Sequence, residues 1–90
     1  MAHTIREKTK LLARVRRIRG QVEAIERALE AEIGCADVLQ VIASVRGAVN
    51  GLMAEVMEDH VREHVIDAAS PAQRAKAADE LVEVLRAYLK

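Results

Sequence analysis

Phenylalanine and tryptophan are absent from this 90-residue chain, and Tyr88 is its single aromatic residue. Proline occurs once, as Pro71, and cysteine once, as Cys35. A lone cysteine cannot close an internal disulfide, so a reducing compartment with a reactive or metal-binding thiol fits better. No apolar run is long enough to span a membrane, and the charged N-terminal stretch does not read as a secretory signal. These absences lead to the expectation of a soluble cytoplasmic protein that makes no membrane contact. Net charge is missing too, since 14 Lys and Arg offset 14 Asp and Glu. What the chain does hold is Ala, Leu, Val, Glu and Arg, the profile of an all-α bundle or coiled-coil-like oligomer. Residues 1–90 are expected to form one domain, small enough that an isolated monomer would bury a modest core.

The zero net charge hides an asymmetry. Residues 1–20 carry seven Lys and Arg against one Glu, and the remaining seventy carry seven against thirteen Asp and Glu. A basic edge on an acidic body can dock on a polyanion without coating it.

Hydrophobic periodicity predicts three helices. The first covers about 5–31, with Thr4 as N-cap and Glu7 completing a capping box. Leu11, Leu12, Val15, Ile18, Val22, Ile25 and Leu29 form its apolar stripe. Gly34 is expected to end it. The second covers 36–67 as one long helix whose wide stripe implies burial on two sides. On it, Gly47 and Gly51 would allow close helix approach, and Asn50 is a polar residue suited to fixing register. Ser70 and Pro71 start the third helix, over 71–88. A helix of 32 residues extends about 48 Å, too long for a globule of this size to cover alone. The expected fold is therefore a three-helix subunit pairing into an antiparallel four-helix-bundle homodimer, and then a dimer of dimers.

Three residues carry metal-ligand chemistry. His60 and His64 are four apart on the second helix, so both imidazoles project from one face and can share an ion. Cys35 sits at the start of that helix, about 37 Å away along its axis. An antiparallel partner would return its own Cys35 to the histidine pair, giving an intersubunit thiolate–imidazole site. The plainer alternatives are a surface His-x-x-x-His, satisfied core histidines continuing the line of Val45, Val49, Leu52 and Val56, and a cysteine acting as a small buried hydrophobe.

The run Leu12-Ala13-Arg14-Val15-Arg16-Arg17-Ile18-Arg19-Gly20-Gln21, then Cys35, then Ile42-Ala43-Ser44-Val45-Arg46-Gly47-Ala48-Val49-Asn50-Gly51-Leu52-Met53 closely resembles the CsoR/RcnR/FrmR family of bacterial repressors. The resemblance covers nearly the whole chain. It implies three-helix subunits in dimers and tetramers that bind operator DNA without a helix-turn-helix and release it when an inducer reaches the cysteine-centred site. Copper-branch members offer a cysteine where this chain has His64, and persulfide sensors need a second cysteine. The set His3, Cys35, His60 and His64 looks like the nickel/cobalt-responsive branch, whereas the Arg-rich first helix is also similar to the formaldehyde branch. One thiolate with several imidazoles suits Ni(II), Co(II) or Zn(II). His3 lies beside the α-amine and would add nitrogen donors, in a manner that depends on whether Met1 is retained.

The resemblance further implies that Arg14 and Arg17 contact duplex operator DNA, with Arg16, Arg19, Lys8 and Lys10 in support. Glu7, Glu23 and Glu26 are too few to neutralise them in a merely solvated face. With Tyr88 the single aromatic, base stacking on single strands is disfavoured, and backbone contact with shape readout is expected. Two rival functions stand beside metal-responsive repression. One is a formaldehyde-responsive repressor in which Cys35 and the N-terminal amine are bridged by a methylene group. The other is a small helical homodimeric enzyme, which would need more charged groups in its core than these stripes supply.

Overall fold

The computed structural model describes residues 7–90. Three α-helices, α1 (Lys8–Glu30), α2 (Cys35–His60) and α3 (Pro71–Tyr88), are joined by short turns, with a π-helical turn at Val61–Ile66 extending α2. No strand occurs among the described residues, and the chain is all-α as its composition implies. It falls into two units, Glu7–Met53 and Ala54–Lys90.

Among the described residues α1 runs from Lys8, and Ile5, near which the helix is expected to start, lies outside them. The Glu7 carbonyl accepts the amide of Leu11 at 2.9 Å, which makes Glu7 the N-cap and not the third residue of a capping box. Thr4 lies outside the described residues. At the other end, the chain departs from the expected glycine stop. Glu32 takes a left-handed conformation with φ of 55°. Its amide donates to the Leu29 carbonyl at 3.1 Å, and the Ile33 amide donates to the Ala28 carbonyl at 3.3 Å. Those two bonds are a Schellman closure with glutamate where glycine usually stands. Gly34 serves the next helix instead, its carbonyl accepting the amides of Asp37 at 3.0 Å and Val38 at 3.1 Å.

The expected single α-helix over 36–67 is interrupted. From Val61 to Ile66 the backbone is π-helical, and the amide of Asp67 reaches five residues back to the carbonyl of Arg62 at 2.9 Å. The Arg74 guanidinium, on α3, donates from Nε to the Val65 carbonyl at 2.9 Å and ties α3 to this turn. The start of α3 is as expected. Ser70 is extended and its Oγ accepts the amide of Gln73 at 3.2 Å, with Pro71 in the first turn.

Little apolar surface is fully covered within the chain. Among the described residues the buried apolar side chains are Ala28 and Ala77. The α1 stripe is split lengthwise: Leu11, Ile18 and Ile25 are half-buried, while Val15, Val22 and Leu29, seven apart, are exposed. Leu39, Ile42 and Val49 are exposed on α2. Asn50 is exposed as well.

Candidate functional site

His60 closes α2, and His64 lies in the π turn that follows. Their rings are tilted by 49° with centroids 5.2 Å apart, so the predicted juxtaposition survives the change of helix type. His60 Nε2 lies 3.0 Å from the Ala77 carbonyl oxygen. A carbonyl only accepts, so Nε2 carries the proton and a neutral His60 ring keeps its lone pair on Nδ1. A second bond of this kind is what fixes the orientation of metal-binding imidazoles in general. Both histidines are half-buried and line an open cavity of about 660 Å³ together with Glu63, Asp67, Lys76 and Glu80.

Cys35 is the first residue of α2, with an exposed, reduced thiol and Asp37 in the same turn. His3 lies outside the described residues. Among the described residues no three His, Cys, Asp or Glu side chains form a metal-holding group within the chain. The donor types nonetheless fit a borderline-soft divalent ion, and the two imidazoles are already neighbours.

The basic residues of α1 divide into two sets. Lys10, Arg14 and Arg17, four and three apart, share one face, and Lys8, Arg16 and Arg19 lie on the other side of the apolar stripe. Lys8, Lys10, Arg16, Arg17 and Arg19 are exposed. Arg14 differs in being half-buried, with its guanidinium over Gly51 of α2. A Cβ placed on Gly51 would come within 2.9 Å of Arg14 Nη1. Of the two glycines expected to permit close approach, Gly51 does so; among the described residues nothing lies within 4 Å of a Cβ at Gly47.

Sequence reasoning missed three participants here. The Ala77 carbonyl and the Val65 carbonyl are backbone acceptors and leave no residue-type signal. Ala77 itself, 3% exposed, was legible only as one of several alanines in α3. Gly51 was flagged for helix approach, but its arginine partner was not.

A three-helix chain with a basic first helix and an imidazole pair at the end of the second has the parts of a ligand-responsive DNA regulator. The chain belongs to the metal-sensitive transcriptional repressor family, whose model matches residues 7–87. It is 48% identical over 90 residues to the transcriptional repressor RcnR of Salmonella paratyphi B, with all of both chains covered. It is 62% identical over 91 residues, again across both full lengths, to a Serratia marcescens protein known as the uncharacterized protein in the bioA 5′ region. Among solved structures, it is similar to a Glu-to-His variant of the formaldehyde-responsive regulator FrmR from Salmonella enterica serovar Typhimurium. That similarity has a TM-score of 0.83 and 52% identity, and covers 92% of this chain and 94% of the other. The chain is therefore a transcriptional repressor and not an enzyme. No helix among the described residues is long and apolar enough to cross a membrane.

Proposed function

We infer that the chain is a cytoplasmic Ni(II)- or Co(II)-responsive repressor that holds operator DNA in its metal-free form and releases it when the ion binds. The observation that carries this reading is the second imidazole, His64, whose ring lies 5.2 Å from that of His60. A thiolate acting with an amine needs no such pair, whereas a divalent ion of borderline softness does. The proposed ligands are His60 and His64 of one subunit with Cys35 and the His3-bearing N-terminus of another, and Zn(II) fits the same donors. The 48% sequence identity to RcnR supports the assignment.

Residues 1–90 act as one domain in this reading, and its partner is a second copy. Val15, Val22 and Leu29 repeat at the heptad interval and are exposed, as are Leu39, Ile42 and Val49. Such a seam is what a helical partner covers in an antiparallel bundle dimer, with dimers pairing into a tetramer. The proposed DNA contacts are to phosphates, from Arg14 and Arg17 first and from Arg16, Arg19, Lys8 and Lys10 in support. Several such edges on one assembly raise the affinity by multivalency. A coupling of about 1–3 kcal/mol per site between ion and DNA suffices for derepression.

The likeness to FrmR favours one second reading, in which formaldehyde bridges the Cys35 thiol and the N-terminal amine. One titration separates the two. Operator binding by the reduced metal-free protein is measured by fluorescence anisotropy with Ni(II), Co(II), Zn(II) or formaldehyde added. Release by Ni(II) or Co(II), abolished in Cys35→Ala and His64→Ala, is the expected result. Release by formaldehyde alone, unchanged in His64→Ala, transfers the protein to the second reading.

A further inference from the structure

Arg14 is unlike the other arginines of its helix. Arg16, Arg17 and Arg19 are exposed, whereas Arg14 is half-buried and its guanidinium rests over α2 at Gly51, where that helix has no side chain to meet it. The other glycines differ from Gly51 in their surroundings. A Cβ added at Gly20 or Gly47 meets nothing within 4 Å, and one at Gly34 makes an ordinary 3.6 Å contact with Asp37. At Gly51 alone the added carbon would come to 2.9 Å from a charged group, closer than carbon and nitrogen can pack. A glycine in a helix interior weakens the helix relative to alanine, so a structural benefit of Gly51 has to come from the space it leaves.

We propose that Gly51 is a positioning residue for DNA binding: its bare backbone seats the Arg14 guanidinium, presetting the direction from which this arginine meets a phosphate. A long side chain gains affinity when its rotamers are restricted before the partner arrives, because less entropy is lost in the complex. A planar guanidinium is also the head group for which a preset orientation counts, whereas a lysine ammonium is a point charge with rotating donors. The inference rests on the reading that Arg14 contacts DNA, and its test is chosen to separate the two.

The clashing atom is the tip of a flexible side chain, so Gly51→Ala should displace Arg14 without disturbing the backbone. The experiment measures operator affinity of the full-length, metal-free protein across a salt series for wild type, Gly51→Ala, Gly47→Ala, Arg14→Ala, Arg14→Lys and the two Gly51→Ala/Arg14 double variants. Thermal melts and sedimentation are run on the same samples. Gly51→Ala is expected to melt at or above the wild-type temperature with its assembly intact, yet to bind DNA about three- to tenfold more weakly. Its log affinity against log salt should flatten toward that of Arg14→Ala, by about 0.9 for each phosphate no longer neutralised. Adding Gly51→Ala to Arg14→Ala or Arg14→Lys should cost nothing further, and Gly47→Ala should bind as wild type. Unchanged or tighter binding by Gly51→Ala, full additivity in the double variants, or an equal loss in Gly47→Ala would overturn the proposal. Should Gly51→Ala not assemble, the Nε–H resonance of Arg14 in the wild type decides: a signal averaged like those of Arg16 and Arg19 overturns the seat, and a distinct, slowly exchanging one upholds it. Wild-type affinity in Arg14→Ala would instead remove the reading beneath it.

Discussion

Single residues set the chemistry of this chain at two places where the side chain itself is unremarkable. Ala77 is the clearer case. It is nearly inaccessible, so little room is left around its methyl group, and its carbonyl accepts the His60 Nε2 proton at 3.0 Å. Ala77→Val overfills the site by two carbons, at a cost of about 1–3 kcal/mol. If His60 holds the ion as proposed, the same change should weaken Ni(II) binding about ten- to a hundredfold, as removal of an imidazole's outer hydrogen bond does. Isothermal titration of the metal, with operator affinity of the metal-free protein as control, checks this; equal losses in both would refute it. Glu32 is the second case. A glutamate at φ 55° bears a steric cost that glycine does not. Glu32→Gly should therefore raise stability by up to about 1 kcal/mol, read from urea midpoints at matched protein concentration.

At the scale of the element, the start of α3 and the end of α1 make an instructive contrast. Ser70 and Pro71 announce a helix start because capping hydroxyl and preset φ act within three residues of one another. The structure realises both, and Ser70→Ala should cost about 1 kcal/mol in the same urea assay. The end of α1 falls where it is expected, but the closing residue is Glu32 and not Gly34, which offers the stronger local signal. The Schellman bonds are decided by which amides can reach back to Ala28 and Leu29, not by residue type. The π turn at Val61–Ile66 was illegible for a further reason: residue types and apolar spacing do not tell an i→i−4 bond from the five-residue bond that the Asp67 amide makes to the Arg62 carbonyl. The His60–His64 pair was legible because neighbours four apart remain on one side in either helix type. The cradle at Gly51 was half legible: glycine signals space, but only the fold says what fills it.

On the scale of the whole molecule, the chain keeps little apolar surface to itself. Leu29 is 60% exposed and Leu39 59%. If a second copy covers this seam, stability and concentration are inseparable. A tenfold dilution should lower the melting temperature by several degrees, and Val22→Glu, a charge placed in the seam, should give a monomer by sedimentation that no longer binds operator. A melting temperature independent of concentration would contradict self-association. The split of the α1 stripe has a consequence for the life of the protein in a cell. If two copies pair as proposed, a nascent chain whose fully covered apolar side chains, among the described residues, are two alanines would reach its finished state in a second-order step, by meeting another like it. Below some level of synthesis such chains would be degraded faster than they pair. Repressor would then accumulate in a threshold manner, and the dose of its gene, more than the strength of any one interaction, would set how tightly the operator is held.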